Sequence, residues 1–347
     1  MTKEKGKVSP DSLVKAVLYA RKITPTAKHV EEAREKLEKV PLVLDGLDEV
    51  ITHVPDIIDG IKSFKLANPC SQVIVSSRDN YDYVKDMGFT SICLMPFTET
   101  QLFEFVTNVC TSKNVANKVV NLIKSNDLFE VLSNPLLATI ACALAEHGVR
   151  VPSKESKLYE KRFLLLTGEY DHYKNIIRQK NLKENLQGVA ILLAWKMHEK
   201  GLRQVEFDEA LSWLLKDRSI GLEPHAVQSC LSELICPCNI LIQINSGNIL
   251  TFGHFRFQES LVAMRLSRTQ ANDFETLLEL PFWKGAFGLY ADSNDIHPIF
   301  HYLSGVDRYN CDYENTLKEM ISRADIGRVE KEGLLDLLDM WAKEPIL

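Results

Sequence analysis

The apolar and polar positions change their period partway along the chain. Over the first 95 or so residues, helical patterns alternate with short apolar runs. Ser12 to Arg21 and His29 to Lys39 read as amphipathic helices, and Leu42-Val43-Leu44 follows as a strand. Ile57 to Leu66 reads as the next helix, Gln72 to Ser76 as the next strand, and Ser91 to Leu94 as a last short strand. Helices alternating with uninterrupted apolar strands predict a parallel sheet.

After Pro96 the pattern becomes almost wholly helical. Thr98-Glu99-Thr100-Gln101 has the form of a capping box with Thr98 as the N-cap. Asn134-Pro135 opens another helix, with Pro135 in the first turn, where its missing N–H costs nothing. Gly148 is a candidate C-cap for it. Long helices are predicted near Lys157 to Tyr170 and Leu182 to Lys200. One hairpin interrupts them: Ile240 to Ile244 and Asn248 to Phe252 flank Asn245-Ser246-Gly247. Helices on either side of that hairpin predict a winged-helix module. The predicted organisation is residues 1–95 as a partial α/β domain, 96–150 as a small helical domain, 151–270 as a winged-helix domain and 271–347 as a helical extension.

The 347 residues carry a net charge of −6, which argues against a general affinity for nucleic acid or membrane. No apolar run approaches the ~18 residues of a membrane helix. The eight cysteines stand mostly alone in apolar surroundings. Cys236-Pro237-Cys238 has no matching pair at zinc spacing, so buried thiols in a reducing cytoplasm fit best.

The chemistry concentrates at strand ends. Leu42-Val43-Leu44-Asp45-Gly46-Leu47-Asp48-Glu49 is a buried strand running into three acids, at the end of a parallel strand where α/β proteins bind ligands. A strand-end Asp45 is a candidate Mg²⁺ ligand, and Asp48 and Glu49 are candidates for positioning an attacking water. Ser76-Ser77-Arg78 ends the next strand and offers Arg78 as a candidate cation for a γ-phosphate. The usual phosphate cradle, G-x-x-x-x-G-K-[ST], is missing: the sole Gly-Lys pair is Gly6-Lys7, followed by Val8. His254, after the hairpin, reads locally as a structural histidine.

Taken in order, these segments resemble the NACHT family of STAND NTPases, which includes animal NOD-like receptors and bacterial anti-phage proteins. Leu42 to Glu49 resembles the family's extended Walker B, and Ser76-Ser77-Arg78 its sensor 1. Met95 to Thr100 resembles the linker into the first helical domain. Leu158-Tyr159-Glu160 and His254 to Glu259, with Leu261 and Ala263, resemble its winged-helix signature. The resemblance spans about residues 10–270 and implies a partial P-loop-type sheet followed by helical domains. It implies ATP and ADP with Mg²⁺ as cofactors, Pro135 over the adenine ring and His254 on the β-phosphate of ADP. It also implies ATP hydrolysis and a nucleotide-dependent oligomerisation switch in immune or anti-phage defence, with self-association or other protein partners. The start inside a β/α unit reads as a fragment of a longer receptor. The alternative reading is a non-catalytic helical interaction module that has lost nucleotide binding.

Overall fold

A computed structural model of the chain describes residues 10–47, 54, 56–77, 88–90, 92–125, 128–168, 181–244, 248–269, 274–305 and 313–343. The protein is mostly helical and forms two compact units, Met1–Met95 and Pro96–Leu347.

In unit 1, helices α1 (Pro10–Ala20), α2 (Ala27–Leu37) and α3 (Ile57–Ala67) accompany strands β1 (Leu42–Leu44) and β2 (Val73–Val75). Thr26 starts α2 by accepting a hydrogen bond from the His29 N–H, which satisfies an otherwise orphaned donor. The two strands pair in parallel, with Leu42 opposite Val73 and Leu44 opposite Val75. Leu13, Val14, Val30, Leu42, Ile61 and Phe64 form the core. Alternate strand residues point the other way: Val43 is 60% exposed and its cross-strand partner Ile74 is 54% exposed.

The strand predicted at Ser91 to Leu94 is not formed where it can be seen. Ser91 lies outside the described residues, and Ile92 to Leu94 have no strand structure. Ile92 and Leu94 are 85% and 93% exposed. An apolar run becomes a strand only when a neighbour accepts its backbone hydrogen bonds, and the sequence of the run does not supply that neighbour.

Unit 2 opens with a helical bundle: α4 (Glu99–Val109), α5 (Lys113–Ser125), α6 (Phe129–Leu132), α7 (Pro135–Glu146) and α8 (Glu155–Leu166). The capping box at Thr98 and Gln101 forms as the sequence predicts. Asn134 caps α7 by accepting from the Leu136 and Leu137 N–H groups, with Pro135 in its first turn. Leu102, Val106, Val119, Leu137, Leu144 and Leu158 fill the space between these helices.

Helix α9 (Lys183–Glu199) is buried on nearly all sides between Leu186 and His198, as a central core helix must be. It is followed by β3 (Val205–Glu206), α10 (Phe207–Lys216), α11 (Pro224–Ile235), β4 (Ile242–Ile244) and β5 (Ile249–Thr251). The strands form an antiparallel sheet in the order β3-β5-β4. The turn at 245–247 lies outside the described residues. Next come α12 (Phe255–Leu266), α13 (Glu275–Leu278), α14 (Lys284–Ala291), α15 (His297–Ser304), α16 (Glu314–Arg323) and α17 (Arg328–Lys343). One continuous apolar core extends from Phe163 on α8 to Trp341 on α17. No helix among the described residues is long and apolar enough to cross a membrane.

Candidate functional site

The two strands of unit 1 run parallel, so their C-terminal ends lie side by side. Asp45 follows β1 and Ser76 follows β2. Backbone bonds continue the ladder past both strands: the Ser76 N–H donates to the Leu44 carbonyl at 2.9 Å, and the Leu47 N–H to the Ser76 carbonyl at 2.9 Å. Gly46 adopts φ +72°, a left-handed conformation that suits glycine. That turn lets the Gly46 N–H donate to Ser76 Oγ at 2.9 Å. Ser76 Oγ in turn donates to Asp45 Oδ1. The exposed end of the sheet thus holds an acid, a hydroxyl and a backbone N–H in one connected group.

This donor set suits a hard cation in part. Asp45 offers carboxylate oxygen, the ligand type of Mg²⁺, which commonly takes one or two protein carboxylates and completes its shell with water and phosphate. Ser76 holds one of the carboxylate oxygens, orienting the acid. Among the described residues no group of three or more His, Cys, Asp or Glu side chains forms a metal cage. Asp48, Glu49 and Arg78, the other candidates from this region, lie outside the described residues.

The remaining two candidates open helices in unit 2. Pro135 is exposed at the first turn of α7. His254 is the N-cap of α12. Gly253 before it turns the chain with φ +78°, and a Cβ there would meet Ile242 Cδ1 at 2.7 Å. The turn delivers His254 Nδ1 to the Arg256 N–H, from which it accepts at 3.2 Å. Its exposed ring lies 5.8 Å from that of Phe257. His254 thus caps the start of α12 as a Ser or Asp would.

A part-buried polar cluster escaped the sequence reading. Glu155 at the start of α8 accepts from Arg256 Nε at 2.9 Å and from Arg323 of α16. Arg256 also donates to Glu259 at 3.0 Å and to the Gly285 carbonyl at 3.3 Å. Tyr159 donates to Glu155 at 3.0 Å. Burial works against the Glu155 charge, yet Arg256 and then Arg323 outweigh it and hold the carboxyl down at about 2. Beside the cluster, the Arg162 guanidinium sits 3.5 Å from the Phe257 ring centroid, and burial lowers it to about 10. Arg256 and Glu259, three apart on an otherwise buried helix, were the available signal. Their partners lie 101 residues upstream and 67 downstream of Arg256, beyond any local pattern.

His198 is a second buried group. Gln258 donates to its Nδ1 at 3.3 Å, which leaves the proton of the neutral ring on Nε2. The ring stacks on Phe255 at 5.5 Å and meets Trp283 edge-on at 4.6 Å. Burial drives it down to about 3, with the Phe282 backbone offsetting part of the drop. No protein-family model and no curated protein matches the chain.

Proposed function

We propose that the chain is the regulatory core of a NACHT/STAND-type signalling ATPase, a nucleotide-dependent switch that controls self-association in immune or anti-phage defence. The observation that carries this reading is the hydrogen-bonded pairing of Asp45 with Ser76 at adjacent C-terminal ends of parallel strands. Walker B chemistry requires that juxtaposition: an acid on one strand end beside the residues that sense phosphate on the next. The element order α9-β3-α10-α11-β4-β5 and the β3-β5-β4 sheet support a winged-helix reading of residues 151–270.

In this reading Asp45 would hold Mg²⁺, with Ser76 fixing the carboxylate's orientation. Asp48 and Glu49 would position water and Arg78 would read the γ-phosphate, and the family resemblance assigns Pro135 and His254 to nucleotide recognition. Mg²⁺ would neutralise phosphate charge. Exchange of ADP for ATP favours the associating state through the differential contacts of those residues.

The test is a titration of a fluorescent ADP analogue with and without Mg²⁺, beside steady-state phosphate release. Without a Gly-Lys phosphate cradle, the chain as given turns over ATP very slowly. Mg²⁺-dependent binding weakened roughly tenfold by Asp45→Ala, about 1.4 kcal/mol, is the expected result. Binding that ignores both Mg²⁺ and Asp45→Ala overturns the assignment. Complete absence of binding favours the non-catalytic interaction module.

A further inference from the structure

His297 joins two elements of unit 2 through both of its ring nitrogens. It is the first residue of α15, and Asp295 lies just before that helix. Nδ1 of His297 is 2.6 Å from Asp295 Oδ1. Nε2 is 2.8 Å from Oε1 of Glu330, which lies in the first turn of α17. A neutral imidazole has one N–H and one lone pair, and an ionised carboxylate only accepts. Two carboxylate contacts at these distances therefore call for a proton on each nitrogen, and the arrangement is that of an imidazolium.

The surroundings decide which contact depends on that charge. Asp295 also accepts from the His297 backbone N–H at 3.0 Å, so it is held locally whatever the state of the ring. Glu330 comes from a distant helix and has no such backbone tie to α15. The other charged groups of that turn are engaged elsewhere. Arg328 pairs with Glu332 at 2.8 Å, and Lys331 donates to the Ser322 carbonyl at 2.7 Å. From α14, the Tyr290 hydroxyl donates to the Asp295 carbonyl at 3.3 Å, and burial raises its pKa and keeps it neutral. His301 lies one turn further along α15. The far end of α17 is anchored separately: Leu338 is buried, and Trp341 stacks on Phe300 of α15 at 6.2 Å.

We propose that Asp295, His297 and Glu330 form a pH-sensitive latch that fastens the first turn of α17 to the start of α15. With the ring protonated, both carboxylates are bridged. Loss of one proton to solvent leaves a single N–H. Asp295 keeps it on Nδ1, and the Nε2 lone pair then faces the Glu330 carboxylate. Attraction becomes repulsion and the first turn of α17 opens, while Leu338 and Trp341 hold the rest of the helix.

The direction follows from the two acids. The hydrogen bond to Asp295 raises His297 above its ordinary 6.5, burial opposes this, and the charges of Asp295 and Glu330 add to the rise. The latch is therefore complete below pH 6.5 and is lost as pH rises through the folded value above it.

The experiment takes the full chain from mildly acidic to mildly alkaline pH. The His297 ring is titrated by NMR of carbon-13-labelled histidine and assigned with His297→Gln. Amide exchange of residues 331–335 is read by peptide mass spectrometry and corrected for the intrinsic pH dependence of exchange. The Lys331 N–H donates to the Gly327 carbonyl at 3.0 Å, so these amides report on the first turn. His297 should titrate above 6.5, and protection of 331–335 should fall by about two- to fivefold with the same midpoint, the worth of an exposed ion pair. The peptide covering Leu338 to Trp341 should keep its protection. Glu330→Gln leaves a side chain that can bond either form of the ring, so it should lower the His297 midpoint and abolish the pH dependence of protection. A His297 midpoint at or below 6.5 in the unmodified chain overturns the proposal. So does protection that stays flat across the His297 titration, or a Glu330→Gln variant that keeps the original pH dependence.

Discussion

Units 1 and 2 treat their apolar and charged groups in opposite ways. Among its described residues unit 1 has a two-stranded sheet covered on one face, with Val43 and Ile74 left at the surface on the other. Its acid, Asp45, is exposed and held by a single serine hydroxyl and the turn beside it. Unit 2 wraps helices around a continuous core and pairs the buried Glu259 and the part-buried Glu155, Arg256 and Arg323 at its margin. The difference is one of what charge is for. A buried, fully paired acid is fixed and contributes to structure, and any change to its partners is costly. An exposed acid at a strand end costs little to display and stays available to a cation.

Acid should separate the two units most strongly. His198 has its folded value lowered from 6.5 to about 3, so its unfolded form takes up a proton first as pH falls. Its contribution is complete above pH 6.5 and is lost progressively between there and pH 3, on the order of 5 kcal/mol in all. Glu155, lowered from 4.5 to about 2, adds a second loss between those values, about 3 kcal/mol. Denaturant midpoints measured across pH should therefore fall in two steps in unit 2. His198→Phe should remove the upper step. A single step below pH 4.5 in the unmodified chain would show that His198 is solvated.

Glu155→Ala is the next largest perturbation. It takes their shared acid from Arg256 and Arg323, which keep Glu259 and Glu319 as partners, and should destabilise unit 2 by about 1–3 kcal/mol. A double-mutant cycle with Arg256→Met should give a non-zero coupling energy, because Arg256 and Glu155 are joined by a charge-assisted hydrogen bond. Hydrogen exchange resolved by peptide should place the lost protection in α8, α12 and α16 and leave α1 to α3 unchanged. Protection lost evenly across both units would mean that the two unfold as one.

The smallest expected effect tests unit 1. Ile74→Lys puts a charge on the uncovered sheet face and should change stability by no more than about 0.5 kcal/mol. A loss of several kcal/mol in thermal unfolding would show that the face is covered in solution.

By itself the sequence determined what depends on neighbours within a turn or a strand. The Thr98 capping box, Pro135 at the start of α7 and the strands at Leu42 and Val73 were all legible, because caps and periodicity act over three or four residues. The acid after β1 and the serine after β2 were legible as well, and parallel pairing brought them together. Tertiary structure decided which apolar runs found partners: Ile92 to Leu94 read as a strand but are exposed and unpaired in the sheet. It also decided that His254 serves as a helix cap, since that depends on the φ of Gly253 rather than on the histidine. The assembly of Glu155, Arg256 and Arg323 was decided there too. Residues so distant in sequence meet only when whole helices pack, and the energy that selects them belongs to the finished core.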